Sequence, residues 1–314
     1  MKIKERIIYI FFIIIFILSI VTFSVYVNKI QVGKNKKILI GMSQANLYEP
    51  WRVYMNSEIE EESKKHGDVQ VIYKDAGGDT EKQKRDINDL IDFGVDLLIV
   101  SINDSTELTP KVKEAYKTIP VIVLDRAVEG YDYTLYIGSH IKSIGEQAGA
   151  LVADLADNKK LKVVEIQGLL NSSPDREMTE GFKEVLKKHD NISIDRTIVA
   201  NWQKNESQDK LQEILQQDQN IDVIFAHSDY MALGAYYALK SMNKNDVKII
   251  GVDGLQGEEG GIELVKNGIL EGTFTCKTGG KEAIQYAIKI LNKEQDIPKK
   301  ILLECNKITK DSLK

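Results

Sequence analysis

VQVIYKDAGGDTEKQKRDINDLIDFGVDLLIV, residues 69–100, reads as strand, turn, helix and strand in 32 residues. Val69–Tyr73 and Leu97–Val100 are short apolar runs of strand length. Gly77-Gly78-Asp79 is a turn signal, and Glu81–Phe93 carries a helical pattern. Working outward, the same alternation continues both ways. Strands are expected at Lys37–Met42, Pro120–Leu124, Leu161–Ile166, Ile194–Val199, Val223–Ala226, Val247–Val252 and Thr273–Cys276. Helices are expected at Val53–Lys65, Ile141–Ala156, Met178–Lys188, Gln208–Gln216, Tyr230–Ser241 and Lys281–Leu291. Strands that read as unbroken Val/Ile/Leu runs are buried on both faces, as in parallel sheets. The rhythm predicts an α/β protein, and roughly 280 residues exceed one ordinary sheet. We therefore expect two doubly wound parallel-sheet lobes, with the first crossing between them at Tyr133–Ser139.

The remaining composition narrows the function. The chain has 314 residues, 43% apolar and 28% charged, with a net charge of −5. Without residues 1–30, which hold four cations and one acid, the body is more acidic still. No basic field invites nucleic acid. Cys276 and Cys305, the two cysteines, cannot make a four-ligand zinc site by themselves, and sequence alone does not say whether they pair.

Ile7–Val27 is a run of 21 residues without a charge, preceded by Lys2, Lys4 and Arg6. As a helix it spans roughly 31 Å, the thickness of a hydrocarbon core. It is longer than a cleavable signal core, no good cleavage site follows it, and no lipid-bearing cysteine is near. The expectation is an uncleaved signal anchor in residues 1–30, with a cytoplasmic head, followed by a linker at 31–36. The body is then extracytoplasmic, on a single-pass protein of the cell membrane.

In open α/β sheets, ligands sit beyond the carboxyl ends of the strands. The residues there are Ser43–Asn46, Ala76–Asp79, Ser101–Asp104, Asp125–Arg126, Gln167–Ser173, Asn201–Trp202, His227–Asp229, Asp253 and Lys277. This mixture of carboxylates, guanidinium groups and indoles suits a sugar. Charged forks bind vicinal hydroxyls, and flat apolar faces cover the C–H side of the ring.

Five segments carry a resemblance: IGMSQANLYEPWR (40–52), VIVLDRA (121–127), DREMTEGF (175–182), FAHSDYMALGA (225–235) and IIGVDG (249–254). In this order and spacing the chain resembles the type I periplasmic sugar-binding proteins, the ribose- and xylose-binding group, over about residues 37–305. The first motif is most similar to the xylose-binding members. Anchorage without a lipid cysteine resembles the clostridial xylose-sensing binding proteins that sit beside a membrane histidine kinase. The resemblance implies two lobes joined by a three-crossover hinge, a first lobe of 37–138 plus 279–297 and a second of 139–278 plus 298–314. It implies that Trp51 and Trp202 stack on opposite faces of a monosaccharide. Asp125, Arg126, Arg176 and Asp253 would bind its hydroxyls, Lys277 would donate, and Gln44 and Asn46 would make weaker contacts. Ser228 stands where the family commonly has Asn and would make a shorter contact.

Plainer readings of the same residues stay open. Either tryptophan can fill core space, and Asp253 before Gly254 can simply make a turn. The register leaves Cys276 or Lys277 at the last position, and Asp229 reads better as a helix N-cap than as a ligand contact. No enzyme is expected, and no cofactor. The histidines His66, His140, His189 and His227 show no metal spacing, and there is no nucleophile elbow or phosphate loop. His227, Ser228 and Asp253 hold the residue types of a triad, but adjacent His and Ser on one loop rarely aim at each other. The sequence supports a pentose sensor, D-xylose first, partnered by a histidine kinase. The alternative is the binding component of an ABC importer with its permease.

Overall fold

The computed structural model describes residues 14–24, 37–218 and 220–314. Residues 14–24 are helical (α1), with Phe16 66% and Phe23 69% exposed. The remainder of the Ile7–Val27 run, the head expected in the cytoplasm and the linker expected at 31–36 lie outside the described residues. Among the described residues no helix is long and apolar enough to cross a membrane.

The first sheet has the order β11-β5-β4-β3-β1-β2, all parallel. Its strands are β1 (Ile38–Gln44), β2 (Val69–Asp75), β3 (Leu97–Ser101), β4 (Val121–Leu124), β5 (Leu135–Ser139) and β11 (Lys300–Leu303). The central strand β3 is buried throughout, as its unbroken LLIVS predicts, whereas the edge strand β2 alternates between half-buried and exposed residues. Helices α2 (Pro50–Lys64), α3 (Thr80–Phe93) and α4 (Ser105–Tyr116) connect the strands, and α10 (Gly280–Leu291) packs on α2. Asp79 caps α3 by accepting the Lys82 N–H, and Gly94 ends it in the left-handed region at φ 89°.

The second sheet has the order β12-β10-β9-β8-β6-β7. Its strands are β6 (Leu161–Gln167), β7 (Ile192–Val199), β8 (Val223–Ala226), β9 (Lys248–Ile250), β10 (Gly272–Phe274) and β12 (Lys307–Thr309). Five run parallel, but β12 is an antiparallel edge, a departure from the all-parallel lobe expected. Helices α5 (Ile141–Ala156), α6 (Ser173–Leu186), α7 (Lys204–Gln217), α8 (Asp229–Ser241) and α9 (Gly261–Lys266) flank it, α5 lying on α6.

Two boundaries move, and one helix is added. Tyr133–Ser139 is not the crossing itself, because β5 belongs to the first sheet and the chain crosses only after Ser139. Residues 300–303 pair with β5 in the first sheet rather than joining the second lobe. Helix α4, unassigned by the sequence, forms despite Pro110 because Asp104 accepts the Thr106 and Glu107 N–H groups. The chain passes between sheets three times, at β5 to α5, β10 to α10, and β11 to β12.

Candidate functional site

The carboxyl ends of both sheets face one cavity of about 210 Å³. From the first lobe it takes Glu49, Trp51, Arg52, Asp125 and Arg126; from the second, Met178, Trp202, His227, Asp229 and Asp253, with Cys276 from a crossover. Three of these residues hold backbone conformations that side chains ordinarily avoid: Asp125 at φ 70°, Trp202 at 63° and Asp253 at 120°. Such strain concentrates where a side chain must point at a ligand.

The first-lobe wall is a buried charge network. Arg52 is only 1% exposed. Its Nε donates to Glu49 at 3.1 Å, and its Nη1 to Gln44 Oε1 at 3.0 Å and Ser101 Oγ at 2.7 Å. Its Nη2 lies 3.3 Å from the Asp125 carboxylate. Burial alone would lower its pKa, but Glu49 and Asp125 outweigh that and raise it. Arg126 donates Nη1 to Asn103 O at 2.9 Å and stands 3.7 Å from Glu49. Burial and the neighbouring Arg52 pull it down to about 10. Its Nε is buried with no partner among the described residues, a donor aimed at nothing in the protein. Asp125 is pushed up by burial, against the pull of Arg52 and Arg126.

The second-lobe wall rests on His227. Its Nδ1 is 2.8 Å from Asp175 and its Nε2 3.2 Å from Glu165, both carboxylates being buried. Burial disfavours the imidazolium, but the two carboxylates raise its pKa to about 9. Both ring nitrogens are engaged, so the imidazole cannot serve Ser228 as a base. Ser228 Oγ instead accepts the Met231 N–H and caps α8, the role expected of Asp229. Asp229 accepts from Thr273 Oγ1 and the Gly254 N–H, both at 2.7 Å, and lines the cavity, so the cap reading of Asp229 is corrected, while Ser228 both caps α8 and lines the cavity. Burial raises Asp229, and burial plus repulsion from Asp229 raises Asp253. Trp202 lies flat over Gly168, where any Cβ would enter its ring, and its Nε1 has no partner among the described residues. Trp51 is 9% exposed and donates Nε1 to Cys276 O at 2.8 Å.

Of the residues expected, Trp51, Asp125, Arg126, Trp202, Ser228 and Asp253 line this cavity. Gln44 and Asn46 are buried one layer behind, where Gln44 holds Arg52 and Asn46 donates to Glu49 at 2.6 Å. Arg176 is exposed on α6, because the helix turns Asp175 inward instead. Lys277 is exposed as well, and its neighbour Cys276, past the end of β10, lines the cavity instead. Glu49 and Arg52 both lie within the first motif, but no sequence signal singles them out as site residues. No group of residues that could hold a metal ion occurs among the described residues.

A model described as a periplasmic binding protein domain matches residues 40–295. The chain belongs to the periplasmic binding protein family. Members of this family bind ligands and are not enzymes. The ribose import binding protein RbsB of Bacillus subtilis is 35% identical over 224 residues, 71% of this chain and 72% of that protein. RbsB of Escherichia coli is 28% identical over 262 residues, covering 82% and 86%. The fructose-binding periplasmic domain of a hybrid two-component system superposes with a TM-score of 0.83 at 34% identity, over 87% of this chain and 91% of that one. An ABC transporter solute binding protein from Bacillus halodurans, with bound myo-inositol, gives 0.83 at 27%, over 89% and 96%.

Proposed function

We propose that this chain is an extracytoplasmic receptor for one monosaccharide, a pentose and in first place D-xylose. It is tethered to the cell membrane by its N-terminal apolar segment and read by a membrane histidine kinase. The observation that carries the ligand class is the inter-lobe cavity. Its carboxylates accept hydroxyl protons, the Arg126 Nε is a spare donor, and two indoles offer apolar faces. Its volume lies below the roughly 300–1,000 Å³ of drug-sized sites, which suits a single small ring. Trp51, Trp202, Asp125, Arg126 and Asp253 contact the sugar, joined by Glu49 and Cys276.

Ligand shifts an open–closed equilibrium only by binding the closed state more tightly, which contacts from both lobes provide. The 34% identical fructose-binding domain of a two-component system supports the sensor reading. A second reading, the binding component of an ABC importer, is favoured by the import proteins among the relatives. Calorimetric titration of residues 31–314 with a panel of monosaccharides tests the ligand, D-xylose binding being expected and no response to any sugar overturning it. Pull-down from native membranes, with and without pentose, tests the partner. Recovery of a permease and ATPase without a kinase replaces sensing with transport.

A further inference from the structure

Cys276 and Cys305 are both free thiols and belong to two different crossovers. Strands β10 and β12 pair antiparallel, with Gly272 opposite Thr309, Thr273 opposite Ile308 and Phe274 opposite Lys307. Beyond that ladder the chains stay together. The Thr275 N–H donates to Asn306 O at 2.9 Å, and the Asn306 N–H to Thr275 Oγ1 at 2.8 Å. The same register sets Cys276 opposite Cys305, next to a hydrogen-bonded position. Antiparallel residues at such a site have Cα atoms about 4.5 Å apart, within the roughly 4.4–6.8 Å that a disulfide spans. Cys305 packs against the apolar cluster that contains Cys276, and the Ser139 hydroxyl stands beside both sulfurs.

We propose that Cys276 and Cys305 are a disulfide-forming pair that staples the second crossover to the third and removes a thiol from the cavity wall. With a small-molecule disulfide as oxidant, the more accessible Cys305 thiolate attacks one of its sulfurs. The small S–S bond breaks, a mixed disulfide forms, and one small thiol leaves. The Cys276 thiolate then attacks Cys305 Sγ, the Cys276–Cys305 bond forms, and the second small thiol leaves. The protein loses two electrons and two protons, and the oxidant gains both as two thiols. Burial raises both protein thiols, so the exchange is slow at neutral pH and quickens as pH rises. The Cys276 carbonyl holds the Trp51 indole, so the oxidation state of this strand reaches the ligand wall directly. By reciprocity, an occupied cavity must then alter the ease of oxidation.

The test is treatment of the full chain, purified in detergent, with oxidised glutathione at about pH 8.5, near the ordinary thiol pKa. Titratable thiols should fall from two to none, and the mass by two hydrogens. Peptide mapping should recover one cross-link between Cys276 and Cys305, absent from Cys305→Ser. Two persisting thiols, a stable glutathione adduct on Cys305, or disulfide-linked dimers would overturn the proposal. The ligand arm rests on the sugar-receptor reading: in a glutathione redox buffer, saturating D-xylose should change the equilibrium ratio of disulfide to dithiol by at least about threefold. Cross-linking in a protein that binds none of the sugars tested leaves the staple standing and removes the receptor reading, so the two fail separately.

Discussion

Trp51 and Trp202 look equivalent in sequence but are held by different forces. Trp202 is half-buried over Gly168, packed at the margin of the second lobe's apolar cluster, and its indole N–H has no partner among the described residues. Trp202→Ala should weaken pentose binding more than tenfold, over about 1.4 kcal/mol, with a smaller loss of stability than Trp51→Ala. Trp51 belongs to the main apolar cluster and donates to Cys276 O, so Trp51→Ala should also lose about 3–5 kcal/mol of stability in denaturant titration. His227 sets a pH dependence. Its folded pKa of about 9 exceeds the ordinary 6.5, so its contribution is complete below pH 6.5 and is lost as pH rises through 9. Unfolding free energy should fall across that window by about 1–3 kcal/mol, and His227→Gln should flatten the profile; a flat profile in the parent protein refutes the buried imidazolium. The strand-end rule located Asp125, Arg126, Trp202 and Asp253 because a polar residue after an apolar strand has few other uses. It missed Arg52, since an arginine beside a tryptophan on a helix reads as solvated until Glu49 and Asp125 are seen to neutralise it. Arg176 and Lys277 lie exposed outside the cavity lining, while their sequence neighbours Asp175 and Cys276 are buried.

At the level of elements, the nine strands expected all form, each end within two residues of the stated one, and β8 matches at both ends. The missed elements share a cause. β5, β11 and β12 are short and lie at or beside sheet edges, and only β11 carries an aliphatic run, Ile301–Leu303, so local pattern is weak and tertiary pairing decides. The α5–α6 contact is another tertiary feature. A Cβ at Gly145 would collide with the Met178 carbonyl of α6, so the two helices approach to backbone distance. Gly145→Val should therefore destabilise the protein by about 1–3 kcal/mol or more, read as a lower denaturant midpoint, while the first lobe's network stays intact. An unchanged midpoint would mean that the helices separate freely.

For the molecule as a whole, closure around a sugar should lower the radius of gyration in solution scattering when D-xylose is added. An identical scattering curve at saturation would remove lobe closure from the proposed mechanism. N-terminal sequencing of the membrane-extracted protein should begin at or next to Met1; a start near residue 28 would show that the anchor is cleaved. The three passages between sheets have a further consequence, for the order in which the chain can be finished. The first lobe is begun by residue 38 but lacks the edge strand Lys300–Leu303 and the helix Gly280–Leu291 that lies on α2. During synthesis from the amino terminus, the second lobe's strands β6 to β10 are all made before the first lobe can close its sheet. Half of the receptor must therefore wait, incomplete, for the last portion of the chain. A stop codon near residue 299 would remove only the final residues, yet it would leave one edge open in each sheet, β5 in the first and β10 in the second. Nascent chains arrested there should be cut by protease in both lobes, whereas the full-length chain should resist.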